Sequence, residues 1–353
     1  MKTRRILYSA GAAVGMLVLI LDSSTALAGA KKGIELCINS LIPSLFPFFV
    51  LSNLLTGALN GWTCRMLKPL CKLCKIPSGS ESVLLTGLLG GYPVGAQCVG
   101  YSYAAGTIDR QTASRMLGFC NNAGPAFLFG VIGHAFDSVY IPWLLWAIHV
   151  TSALIVGTLL PGNTQEKVIN HVAPVTTWPQ ALRKAISVCA SVCGWVILFR
   201  IALSYLNKWL FYRLPAEAIV LLSGLLELTN GCVQLQLISN TGLRFILAAV
   251  LLASGGVCVA LQTCSVIHTL PINFYCAGKA LQTAFSFLLA GICQILLPQQ
   301  LRYHIPTGLL VLVLVIAFLL IFWLKKQWNF PGIWCIIKPS KQRGNCHVIP
   351  KED

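Results

Sequence analysis

FCNNAGPAFLFGVIG, residues 119–133, carries Asn121, Asn122, Gly124 and Pro125 where a plain membrane-spanning helix would carry leucine and valine. Its flanks, 116–119 and 126–132, are apolar, and the polar interval is too short for an ordinary loop between two spans. In hydrocarbon every backbone N–H and C=O must be paired, so non-helical backbone survives only inside protein or along a wet cavity. Two amides followed by a Gly-Pro pair therefore predict a broken helix that faces something polar, the device with which many transporters build a solute site.

The rest of the chain fits that setting. Of 353 residues, 56% are hydrophobic and 10% charged, against roughly 25% charged in a soluble domain. Mean hydropathy is +0.75. Apolar runs near the 20 or so residues that a helix needs to cross a bilayer recur along the chain. The expected fold is all-α, a polytopic helical membrane protein.

The net charge of +16 comes from 26 Lys and Arg against 10 Asp and Glu. The cations cluster at segment ends: Lys2, Arg4 and Arg5; Lys31 and Lys32; Arg65, Lys68, Lys72 and Lys75; then Lys325, Lys326, Lys338, Lys341 and Arg343. This placement fits cytoplasmic loops beside anionic lipid, so membrane lipids are expected partners. Base-stacking aromatics do not interleave those clusters, which excludes a nucleic-acid reading.

Fifteen cysteines are present, most of them inside apolar runs where Cys behaves as a small hydrophobe. Cys64, Cys71 and Cys74 form one tight group, but a structural zinc site wants four ligands and no fourth is near. No metal and no cofactor is expected; a zinc site completed by Cys335, Cys346 and His347 is the weaker reading. There is no HExxH helix, Walker A loop or Gly-x-Ser-x-Gly elbow, and no paired carboxylates for acid–base work. No catalytic residue is assigned, and the chain reads as a non-enzyme.

Along the chain, 1–32 reads as an N-terminal anchor helix, signal-like in its Lys2, Arg4 and Arg5 cluster and Ala26-Leu27-Ala28 but retained. Residues 33–160 form a first repeat, 161–184 a polar connection, 185–297 a second repeat, 298–324 a last transmembrane helix and 325–353 a basic tail. Pro43 and Pro47 predict a kink in 34–59. Residues 62–76 read as a basic amphipathic helix at the interface, anchored by Trp62, with Ser80 as the N-cap of the helix that follows.

The repeats rest on SVLLTGLL (82–89) and IVLLSGLL (219–226), which agree at six of eight positions. A polar break follows each: Gly90, Gly91, Tyr92, Pro93 and Gly95 in the first half, and Glu227, Leu228, Thr229, Asn230 and Gly231 in the second. A second break follows in each half, Asn121–Pro125 and then Ser254-Gly255-Gly256. Interrupted segments in corresponding places of two halves point to a binding site between repeats.

Glu227 is the sharpest polar residue, because a carboxylate in a membrane helix costs about 3 kcal/mol and needs a cavity or partner. Its alternative role is to accept bonds from the N-terminus of a broken helix. Gln262, one to two turns beyond Gly255 and Gly256, either reaches the same cavity or makes an interhelical amide bond. Asn121 and Asn122 suit a neutral polar ligand, or cap their own broken helix. Arg200 reads as snorkelling toward Lys208, with pairing to Glu227 as the alternative. His134, His149 and His268 read as interfacial.

FPFFVLSNLL (46–55), GGYPVGA (90–96), FCNNAGPAFLFGVIG (119–133), GLLELTNG (224–231) and GGVCVALQ (255–262) stand in the order seen in the YlbJ-like sporulation integral membrane proteins. The chain resembles that family from about residue 33 to residue 297. The family belongs to the wider nucleoside-recognition or Gate group, which is similar to concentrative nucleoside transporters. The resemblance implies a bacterial cytoplasmic-membrane protein needed for the spore cortex. Its motif positions here are Gly91, Tyr92, Pro93, Gly95, Asn121, Asn122, Gly124, Pro125, Glu227, Thr229, Gly231 and Gln262. Tyr92 would stack on or gate a small polar solute, Asn121 and Asn122 would hydrogen-bond it, and Glu227 with Gln262 would close the cavity. A non-transporting scaffold that recruits partners through 62–76 and 325–351 is the rival reading. Substrate, coupling ion and oligomeric state are left open.

Overall fold

A computed structural model describes residues 2–59, 65–162, 176–267 and 269–296, together with 315, 316, 319, 320, 322 and 323. Its described residues are helical, with no strand among them. Among the described residues, five stretches are long and apolar enough to cross a membrane: Ser23–Leu59, Tyr140–Leu159, Trp178–Trp209, Thr241–Ile267 and Asn273–Leu296. The all-α polytopic membrane fold expected from composition is the one observed. The stretches 163–175 of the polar connection, most of 298–324 and all of 325–353 lie outside the described residues, as do Trp62, Cys64 and His268.

The N-terminal part divides at Asp22, not near residue 32. Helix α1 (Lys2–Leu21) ends there, and α2 (Ser23–Leu36) begins with the Asp22 carboxylate accepting from Thr25 N at 3.4 Å. Lys208 Nζ, 2.6 Å from Asp22 Oδ2, is the main reason that the carboxyl is lowered to about 2. Helix α2 carries Lys31 and Lys32 on its exposed side and runs through a π-helical turn (Cys37–Leu41) into α3 (Ile42–Leu59). That turn sits just before Pro43, and Pro47 lies inside α3, so the expected irregularity takes the form of a widened turn in a continuing helix.

The short helix α4 (Lys68–Leu73) lies within 62–76, with Lys68 and Lys72 on its exposed side. Cys71, Cys74 and Ile76 are buried, because Cys74 packs on Gly157, so the other side turns inward. Helix α5 (Glu81–Leu89) follows. Ser80 makes no side-chain cap there; Glu81 instead turns back to accept from Gly79 N at 2.8 Å.

In the first half α5 gives way to α6 (Val94–Ala104) at Gly90–Pro93, and α7 (Arg110–Leu117) to a short α8 (Pro125–Phe127) across 118–124. A π-helical turn, Leu128–Ile132, continues α8. Helix α9 (Tyr140–Leu159) closes this half. Arg115 of α7 is buried against α9, donating to Gly157 O and to Lys75 O.

Thr177 and Gln180 form a capping box that starts α10 (Trp178–Trp209) inside the expected polar connection. At 1.5 Å per residue its 32 residues span roughly 48 Å, longer than a hydrocarbon core of about 30 Å. Helix α2 packs along α10 through Gly29 and Gly33: a Cβ on Gly29 would lie 2.9 Å from Ile201 Cα, and one on Gly33 3.0 Å from Ile197 Cα. Small residues four apart allow this close backbone approach.

The second half repeats the helix–break–helix pattern. Helix α11 (Ala216–Leu226) breaks at Glu227 before α12 (Leu228–Gln234), and α13 (Thr241–Ser254) breaks at Gly255 before α14 (Gly256–Ile267). Gly255 and Gly256 have φ of +70° and +76°, the left-handed region that favours glycine. Helix α15 (Asn273–Leu296) packs against α13 and α9.

Candidate functional site

Each break exposes backbone groups that a continuous helix would pair internally, and side chains take up those groups here. Asn121 Oδ1 accepts from Ala96 N in the first turn of α6 at 3.2 Å. Asn122 Nδ2 donates to Phe119 O at 2.7 Å and Gly87 O at 3.1 Å, which ties the 118–124 loop to α5. His149 Nε2 accepts from Ala123 N at 3.1 Å. The histidine is buried within α9, which corrects its interfacial reading.

Glu227 performs the same task in the second half. Oε1 accepts from Thr229 N at 3.0 Å, and Oε2 accepts from both Asn230 N and Asn230 Nδ2 at 2.7 Å. Asn230 Oδ1 in turn accepts from Arg200 Nη1 at 2.6 Å. Arg200 therefore neither snorkels to Lys208 nor touches Glu227 directly: the Asn230 amide stands between guanidinium and carboxylate. The Thr229 side chain also hydrogen-bonds this carboxylate, so its four or so lone-pair positions are taken up within the protein.

Three of the four breaks, at Gly91–Tyr92, Gly124 and Glu227–Thr229, line one cavity together with helix α14, with about 410 Å³ of empty space including its open mouth. Gly91, Tyr92, Gly124, Glu227, Thr229 and Gln262 line it together with Leu41, Leu45, Phe127, Val192, Val196, Leu228 and Val259. Four of the six expected ligand-binding residues, Tyr92, Glu227, Thr229 and Gln262, thus share a wall. Gln262 gives its amide N–H to Cys258 Sγ at 3.3 Å, a weak acceptor that a better one can displace.

Asn121 and Asn122 are not on that wall. They lie behind it, fully buried, with their amides engaged inside the protein. Asn121 Nδ2 donates to Thr263 Oγ1 at 2.8 Å, linking the α7–α8 break to α14. The breaks touch through glycine: a Cβ on Gly124 would lie 2.9 Å from Gly91 Cα, and one on Gly231 2.2 Å from Gly224 Cα. Pro93 and Pro125 stand at the starts of α6 and α8, as expected of residues that lack a backbone donor. Gly95 backs onto Cys120 O, and Gly256 onto Gly224 O.

Behind the cavity lies a group that the sequence reading passed over. Lys279 Nζ donates to Gln282 Oε1 at 2.8 Å, Asn122 Oδ1 at 3.2 Å and Tyr92 Oη at 3.4 Å, and lies 5.1 Å from the centre of the Tyr92 ring. Gln282 Nε2 also donates to Asn122 Oδ1 at 3.0 Å. The signal was a lone lysine inside the apolar run 270–297, with a glutamine three residues on along the same helix face.

The cavity offers a carboxylate oxygen, an amide, a hydroxyl and an aromatic face, groups suited to hold a small polar solute. Among the described residues no cluster of three or more His, Cys, Asp or Glu is placed to hold a metal. Neither Cys71 nor Cys74 is in a disulfide.

No family model matches the chain, and no solved structure does. A curated relative does: the sporulation integral membrane protein YlbJ of Bacillus subtilis (strain 168) is 25% identical over 296 residues, which are 69% of this chain and 71% of that protein. With its apolar helices and the five motifs in order, the chain is a membrane protein similar to the YlbJ-like sporulation integral membrane proteins.

Proposed function

We propose that this protein acts in spore formation as a permease-like protein of the bacterial cytoplasmic membrane that binds a small polar solute between its broken helices. The observation that carries the reading is the cavity where the breaks of both halves converge, with Tyr92, Glu227, Thr229 and Gln262 on one wall. Broken helices around a shared polar site are how transporters keep irregular backbone in a membrane while leaving groups for a solute. The solute class is nucleoside-like or a soluble precursor of the spore cortex, in line with the resemblance to the Gate group. Glu227 accepts a solute N–H or O–H in place of the Thr229 hydroxyl, Gln262 exchanges its sulfur contact for a solute acceptor, and the Tyr92 ring covers an apolar face. No bond of the solute is made or broken.

The test is uptake of a radiolabelled panel of nucleosides and soluble cell-wall precursors by proteoliposomes holding the full-length protein. The expected result is uptake of at least one compound, reduced at least tenfold by Gln262→Ala at equal protein abundance. Absence of uptake across the panel by folded protein, with sporulation lost instead through Lys→Ala changes at 65–75 and 325–351, would favour the scaffold.

A further inference from the structure

We infer that Lys279 is a proton-binding site whose occupancy sets the hold of Tyr92 on the α13–α14 break, so that the coupling ion of the permease-like reading is a proton. This inference rests on that reading for its transport role and on the geometry below for the proton site itself.

Lys279 is buried, and among the described residues no carboxylate lies within 4.0 Å of its amine. Ionisable groups inside membrane helices are functional by default, because a purely structural role is met by uncharged side chains at lower cost. The titratable groups that face Lys279 are Tyr92 from the α5–α6 break, Cys120 from the α7–α8 break and His149 from α9. None is an acid that would fix a permanent positive charge.

Counting hydrogens gives the coupling. A protonated lysine has three N–H donors and no acceptor. All three are accounted for by Gln282 Oε1, Asn122 Oδ1 and Tyr92 Oη. Tyr92, having accepted, spends its own hydrogen on Leu252 O at 3.1 Å. That carbonyl is among the last four of α13, which lack helical partners, so the tyrosine caps the helix just ahead of Gly255. When Lys279 gives up its proton, the amine keeps two N–H groups for Gln282 and Asn122 and gains a lone pair toward Tyr92. The tyrosine hydrogen turns to that lone pair, Leu252 O loses its cap, and the α13–α14 break loosens. Tyr92 also packs on Gly255, whose added Cβ would lie 3.2 Å from Tyr92 Oη, and its ring lines the cavity. The proton on Lys279 is thereby read at the solute site.

The experiment is hydrogen–deuterium exchange of the full-length protein in lipid nanodiscs, followed from mildly acid to alkaline buffer and corrected for the intrinsic rate at each pH. Peptides covering 251–258 should exchange several-fold faster on the alkaline side in the wild type. Lys279→Leu, which can accept nothing, should hold them at the slow level at every pH; Tyr92→Phe, which has no hydroxyl, should hold them at the fast level. The same pH step in both variants, or no step in the wild type, overturns the proton site. No solute is needed, so failure of solute uptake leaves this step in place, whereas failure of the proton site removes the step whether or not uptake occurs.

Discussion

Asn122 uses all four of its hydrogen-bonding positions within the protein: two N–H groups on Phe119 O and Gly87 O, and two lone pairs for Lys279 and Gln282. Asn122→Ala strands two donors and two carbonyls in a buried place, at about 1–3 kcal/mol for each group left unmade. The variant should lose at least about 3 kcal/mol and much of its membrane abundance. Gln262→Ala gives up a contact to sulfur and should lose less than about 1 kcal/mol, because that bond is weak. Thermal unfolding of the two purified variants beside the wild type checks both values; equal destabilisation would contradict this division of labour. Residue types that stand out in an apolar run were legible: Glu227, Gln262 and the two asparagines. Their division between cavity wall and supporting layer was not, because it depends on which neighbour each amide meets across the fold. Lys279 lay in plain view, but a single cation barely lowers the hydropathy of a 28-residue run.

The helices and their interruptions were read more fully. Gly-Pro and Gly-Gly pairs disrupt helices whatever the tertiary setting, and three of the four breaks carry one; the fourth, at Glu227, carries none and is shorter than expected, because the chain is helical again from Leu228. The π-helical turns at Cys37–Leu41 and Leu128–Ile132 carry no such local mark. The packing of α2 on α10 hangs on Gly29 and Gly33, which flank Lys31 and Lys32 at what the sequence marks as a segment end. Glycine substitutions separate these roles. Gly231→Ala places a Cβ 2.2 Å from Gly224 Cα, backbone that cannot move aside, and should abolish folded protein. Gly29→Leu should push α2 off α10 and lower the melting temperature. Gly194, inside α10 with nothing within 4 Å of a Cβ, should become alanine with a gain of about 0.5–1 kcal/mol. Melting curves of the purified variants are expected to rank Gly194→Ala above wild type, and wild type above Gly29→Leu; any other order contradicts the packing described.

As a whole, the molecule brings breaks of both halves to one hollow, with a carboxylate-capped helix on one side and an asparagine-tied loop on the other. The membrane class and the place of the breaks were legible because composition and helix-disrupting residues report directly on backbone and solvent. The cavity's true wall needed the tertiary contacts among α3, α10 and the breaks, for which one sequence holds no local signal. The Arg200–Asn230–Glu227 chain also belongs to this scale: it lets the second half keep a carboxylate at the cavity while a guanidinium stands one amide away. The most direct measurement is equilibrium binding of the radiolabelled nucleoside and cell-wall-precursor panel to purified full-length protein, wild type against Gln262→Ala and Thr229→Val. The account predicts saturable binding of at least one compound by the wild type and at least tenfold weaker binding by each variant, with Gln262→Ala as thermally stable as the wild type to within about 1 kcal/mol and Thr229→Val about 1.5–3 kcal/mol less stable, because it also removes a hydrogen bond to Glu227. Saturable binding that both variants leave unchanged would contradict it.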